Sequence, residues 1–164
     1  RTIKEMNSFI LHQLIPPQMK KIGEEVKEVL RFHLLTNWYR TYTPKFYSRT
    51  NMLVESISVS PVRIIGDTVE VEIYFDENKI TPEPASTEGF FPAHMNITED
   101  GASEYGGMSY GQLLPLWVES GQHSKIHSYL GVHMVEETVE WVSQDNYIKN
   151  RMKELLESKG YTVV

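Results

Sequence analysis

One proline, Pro44, separates two incompatible hydrophobic rhythms, and this limits the fold more than any other feature of the chain. Before it, over residues 18–40, Ile22, Val26, Val29, Leu30 and His33 recur at spacings of three and four, with Lys and Glu between them. That is the period of a helix with one buried stripe. Proline drives the residue before it out of the helical region, so the spacing predicts a helix that ends at Pro44. After it, over residues 53–76, the period falls to two. "ESISVSPVRII" alternates loosely, "GD" supplies a turn and "TVEVEIYF" alternates strictly, which reads as a β-hairpin. Val69, Val71, Ile73 and Phe75 share one face of the second strand, and Thr68, Glu70, Glu72 and Tyr74 share the other. One face is core, the other meets solvent or a partner. Pro61 makes the first strand an edge or places a bulge in it.

The rest of the chain is read against this helix and hairpin. Residues 3–15 form a short helix that stops at Pro16-Pro17. Residues 77–111 show no period and hold Pro82, Pro84, Pro92 and four glycines before Gly111. Such a length without regular structure points to an extended loop or interaction arm, with Phe90 and Phe91 exposed to find a partner pocket. "QLLPLWVE", residues 112–119, is apolar and reaches Gly121. Val135, Val139, Val142, Ile148, Met152, Leu155 and Leu156 predict one long helix over residues 134–158, capped by Gly160, with "YTVV" as a last strand. The expected fold is α+β. A long N-terminal helix and a C-terminal helix pack on a small antiparallel sheet, with a long irregular loop, in a single domain over residues 1–164.

Composition narrows the function. A chain of 164 residues is about one domain's worth on a prior of roughly 150 residues. Its net charge of −6 argues against a large sequence-independent DNA-binding face. The absence of cysteine excludes disulfides, thiolate zinc sites and cysteine nucleophiles. No apolar run approaches the roughly 18 residues of a membrane span, and no signal peptide is expected. Asn96-Ile97-Thr98 fits a glycosylation acceptor but has no meaning without secretion.

Catalytic patterns are weak. Gly107-Met108-Ser109-Tyr110-Gly111 has the spacing of a nucleophile elbow. That motif needs a strand–turn–helix in a parallel sheet, and here it follows the loop "DGASEYG". Glu119 and His123 would have to serve as its acid and base. The pattern reads better as a glycine-rich loop, and a small serine hydrolase using Ser109 is the alternative from another class. His123 and His127 sit four apart, with His133 and Glu119 nearby, yet no zinc signature is present. Gly106-Gly107 lacks the Lys-Ser/Thr of a phosphate loop. Glu24, Glu25 and Glu28 share a helix with Lys20, Lys21 and Lys27 and read as a solvated face. An interaction protein without enzyme activity, metal or cofactor is expected.

The segment between helix and hairpin carries a resemblance. Trp38 and Tyr42 lead into Pro44, Tyr47, Arg49 and Thr50, then Leu53, Ser56 and Ile57, and the hairpin follows directly; "WVESG" comes later. This order, with its Y-x-P-x-x-Y-x-R-T segment, resembles the neck and tail-completion (head–tail joining) family of long-tailed bacteriophages, which includes relatives of the minor tail protein Z of lambda. Members often carry a threonine where this chain has Gln122 after Glu119-Ser120-Gly121. The resemblance implies a virion protein of the neck or tail, present in the host cytoplasm during assembly. It implies a homo-oligomeric ring, a hexamer, that contacts other neck and tail proteins such as the head-closure and tail-terminator rings. A tail-terminator or head-closure ring protein is the alternative within the same virion. DNA would pass through such a ring without sequence-specific binding, and an acidic lumen would repel its phosphates. On this reading Trp38 and Tyr42 pack under the Pro44 corner, and Tyr47 and Arg49 hydrogen-bond across it. Glu70, Glu72 and Tyr74 then form a subunit interface or the channel wall.

Overall fold

The computed structural model describes residues 2–40, 51–80, 110–121 and 131–163. It confirms the α+β class: a long first helical run and a last helix accompany a small antiparallel sheet. By contacts the chain divides into two compact units, Arg1–His33 with Val59–Tyr74 and Val135–Val164, and Leu34–Ser58 with Phe75–Met134.

The first unit opens with helix α1 (Ile3–Phe9), a π turn (Ile10–Leu14) and helix α2 (Ile15–Leu34) in unbroken succession. Pro16-Pro17 therefore does not stop the first helix, contrary to the sequence expectation. The π turn, in which the Ile15 N–H donates to the Ile10 carbonyl, widens the helix ahead of the two prolines. An ordinary helix would drive those rings into the carbonyls four residues back. The predicted stripe of α2 is buried: Ile22, Val26 and Leu30 lie in the interior.

Strands β1 (Ile57–Val59), β2 (Arg63–Ile65), β3 (Thr68–Glu70) and β4 (Ile73–Phe75) form one long hairpin as two ladders, β2 with β3 and β1 with β4. The expected start at residue 53 is corrected, because residues 52–56 form a helical turn. Arg63 pairs with Glu70, Ile64 with Val69 and Ile65 with Thr68 around the Gly66-Asp67 turn. Gly66 has φ +59, a conformation that glycine adopts without steric cost. Further out the Ser60 N–H donates to the Glu72 carbonyl at 2.8 Å. Against the inner register, this leaves Pro61 and Val62 opposite the single residue Val71. That is a bulge, one of the two outcomes, edge strand or bulge, expected at Pro61. The Ser60 hydroxyl closes it, accepting from the Glu72 N–H and donating to the Pro61 carbonyl.

The hairpin's apolar face lies on α2. A Cβ at the buried Gly23 would sit 3.1 Å from methyls of both Val59 and Val71, so glycine is what lets helix and strands approach. Ile73 joins the core cluster of Ile22, Val26 and Leu155, as do Val142, Tyr147 and Met152.

The predicted single helix over residues 134–158 is two helices, α5 (Met134–Ser143) and α6 (Tyr147–Glu157), broken at Gln144–Asn146. Asp145 and Asn146 both adopt left-handed backbone, at φ 51 and 52. Asp and Asn tolerate that region best after glycine, and the Asn150 side-chain amide donates to the Asp145 carbonyl to hold it. Gly160 does cap α6. The Gly160 N–H reaches the Glu157 carbonyl and the Tyr161 N–H reaches Leu156, with φ +84 at the glycine. This is a Schellman motif. Residues 161–163 form no strand, so "YTVV" is corrected: the left-handed Gly160 turns the chain out of the helix, and these residues join neither ladder.

The second unit holds a π turn (Leu35–Tyr39), helix α3 (Met52–Ser56), a 3-10 turn (Glu77–Lys79) and helix α4 (Tyr110–Ser120). Its interior includes Leu34, Leu53, Val54, Leu113, Trp117, Val118 and Met134. The Val132 and His133 N–H groups donate to the carbonyls of Val118 and Glu119, which closes the end of α4. Of the stretch read as a loop, residues 77–79 make the 3-10 turn, Ile80 is buried after it and residues 110–111 open α4, while residues 81–109 lie outside the described ones.

Candidate interaction surface

Alternation along the hairpin leaves an outward face of Arg63, Ile65, Thr68, Glu70, Glu72 and Tyr74, with Ile64, Val69, Val71 and Ile73 turned inward. Glu70, Glu72 and Tyr74 are thus where the sequence placed them, away from the core. Arg63 was not foreseen. Its guanidinium Nε lies 3.0 Å from the Glu70 carboxylate, and its Nη2 lies 3.1 Å from Glu72. Cross-strand register supplies this triad, because Arg63 faces Glu70 only once the two-residue turn is fixed. All three side chains are exposed, so each pair contributes at most about 1 kcal/mol. The triad leaves one uncompensated carboxylate beside two exposed apolar side chains, Ile65 and Tyr74. The face is thus mixed, with ion-paired carboxylates beside apolar surface.

A second polar centre ties α6 to α2. Arg151 grips the Glu25 carboxylate with two donors, Nε to Oε2 at 2.8 Å and Nη2 to Oε1 at 2.6 Å, and Nη1 reaches Glu154 at 2.8 Å. The Tyr147 hydroxyl donates to Glu25 at 2.9 Å, and its ring lies against that of Trp141, centroids 4.3 Å apart and planes tilted by 52°. The Arg151 fork holds the Glu25 carboxyl below its ordinary pKa, with the Tyr147 hydroxyl adding to the effect. Burial, then the bond to Glu25, push the Tyr147 phenol up to about 12. Glu25 and Arg151 are 126 residues apart, and nothing in the sequence links them. A shallow cleft of about 250 Å³ opens beside Trp141, Tyr147 and Arg151. The fork is saturated on its Glu25 side and locks α6 to α2.

The remaining predicted positions divide simply. Trp38 is half-buried in the π turn that ends the long helix. Tyr42, Pro44, Tyr47, Arg49, Phe90 and Phe91 lie outside the described residues, as do Ser109, His123 and His127. Among the described residues no cluster of His, Asp and Glu is placed to hold a metal ion, and no helix is long and apolar enough to cross a membrane.

A model of the YomN family matches residues 2–158. The chain belongs to the YomN family. YomN is a protein of a prophage region, which makes this chain phage-associated. No curated protein and no solved structure matches it. The YomN match spans both units, from the capped start of α1 to the end of α6.

Proposed function

We propose that the protein is a structural component of a tailed phage that completes the tail and joins it to the head, acting as a ring around the DNA channel and without catalysis. The observation that carries this reading is the hairpin on a phage-associated chain. Its inward face is fixed on α2 through Gly23, and its outward face offers Arg63, Glu70, Glu72 and Tyr74 to a neighbour. The order of helix, aromatic segment and hairpin over residues 18–76 supports it through the resemblance to neck proteins. The net charge of −6 supports it too, because an acidic channel wall repels passing phosphates and lets DNA slide. Neighbouring neck and tail rings, and further copies of this chain, are the partners.

Deletion of the gene from its phage tests the proposal. Filled heads and finished tails that fail to join are expected, and infectious particles at normal titre would overturn it. Ser109→Ala should complement the deletion fully, because the role needs no nucleophile.

A further inference from the structure

Two helices of the first unit carry exposed apolar side chains at helical spacing. On the first helical run these are Ile3, Met6 and Ile10, exposed by 79, 51 and 41%. No residue of Ile3–Phe9 or of the following π turn is buried. The stretch is nevertheless a well-formed helix. The Glu5 N–H donates to the Thr2 hydroxyl and the Thr2 N–H to the Glu5 carboxylate, a reciprocal capping box. On α5 the exposed pair is Val135 and Val139, at 41 and 59%, one helical turn apart.

Each stripe has an unused charge at the same position. Lys4 follows Ile3, and Glu140 follows Val139, each about 100° further round its helix, since 3.6 residues make a turn. Neither makes an ion pair among the described residues. Glu5 is engaged in its cap, so Lys4 sets the charge on its flank. Two charges on the same flank of their stripes meet when the helices face each other in opposite directions, and they part when the helices run the same way.

We infer that residues 3–10 of one copy lie antiparallel across Val135 and Val139 of a second copy, with Lys4 beside Glu140. The contact joins two different patches, so it is heterologous and propagates around a ring. This inference rests on the proposed ring assembly and names one of its contacts. Five partly exposed side chains fall short of the roughly 1,200–2,000 Å² of a stable interface, so the contact acts alongside others in the ring.

The chain has no cysteine, so an introduced pair reports without background. Full-length Ile3→Cys and Val139→Cys chains are mixed, oxidised mildly and resolved under non-reducing conditions. The mixture should give a covalent heterodimer, and the double variant in one chain should give a ladder of higher oligomers. A Ser8→Cys control, on the opposite side of the first helix, should cross-link to Val139→Cys at least fivefold less. Lys4→Glu should lower the 3–139 yield severalfold, and adding Glu140→Lys should restore it. Equal yield from the Ser8→Cys control, or Ile3→Cys linking mainly to itself, overturns the inference. If electron microscopy shows rings but no 3–139 bond forms, this contact is wrong and the ring reading stands. A monomer at all concentrations removes the ring reading and the contact together.

Discussion

Gly23→Ala measures directly how closely the hairpin approaches α2. In an exposed helix interior this change stabilises by about 1 kcal/mol, because alanine loses less backbone entropy. Gly23 is buried, and its new Cβ would lie 3.1 Å from Val59 Cγ1, 3.1 Å from Val71 Cγ1 and 3.2 Å from Val71 Cγ2. Carbon atoms rest at about 3.5–4.0 Å, so three methyls must each give by several tenths of an ångström. Both valines are β-branched and stiff at χ1, so they yield only by moving their strands. Overpacking of this kind costs about 1–3 kcal/mol, which exceeds the helical gain. The expected net loss is about 1 kcal/mol. Val71→Ala removes two half-buried methyls and should also cost about 1 kcal/mol. It vacates the space the new Cβ needs, so the double variant should be less destabilised than the sum by at least about 0.5 kcal/mol. Urea unfolding of the four proteins in this cycle is the assay. Stabilisation by Gly23→Ala with strict additivity would show that the strands do not lie against Gly23.

Three other perturbations follow from the geometry. Glu25→Gln should lower stability at neutral pH by about 1 kcal/mol, a figure reduced for the partial exposure of the pair. Glu25 is held below its ordinary 4.5, so the wild-type advantage is fully present above pH 4.5 and is lost as pH falls through the lowered folded value; an advantage that grows in acid would contradict the pairing. Gly160→Ala places a Cβ at φ +84 and should cost about 1 kcal/mol, seen as a melting point lower by about 2–4 °C. Arg63→Ala should change the stability of the free protein by less than about 1 kcal/mol, because its pairs with Glu70 and Glu72 are exposed, and a larger loss in denaturant melts would mean that this face is covered.

The sequence carried the helix of residues 18–40, the two-faced hairpin, the Pro61 bulge and the Gly160 cap, because each rests on local chemistry: a period, a missing N–H, a glycine at positive φ. It misled where local signals compete. Pro16-Pro17 signals a stop, but a π turn just before them removes the clash, and no residue type marks a π turn. The apolar stripe shifts round the helix at Gln144–Asn146, because Val142 and Ile148 are six residues apart, a spacing that no single helix face repeats. Reading one helix through it missed that shift, and the break itself is made by two left-handed residues. The Glu25–Arg151 lock is long-range and could not be read without the fold. Arg63 was within reach, since the register around Gly66-Asp67 sets it across from Glu70.

The most direct test of a role at the head–tail junction is to find the protein in the particle. Virions carrying an epitope-tagged copy would be purified, labelled with a gold-conjugated antibody and imaged by electron microscopy. Gold confined to the narrow region between head and tail, on most particles, is the predicted result. Purified infectious virions that lack the protein altogether would contradict the account.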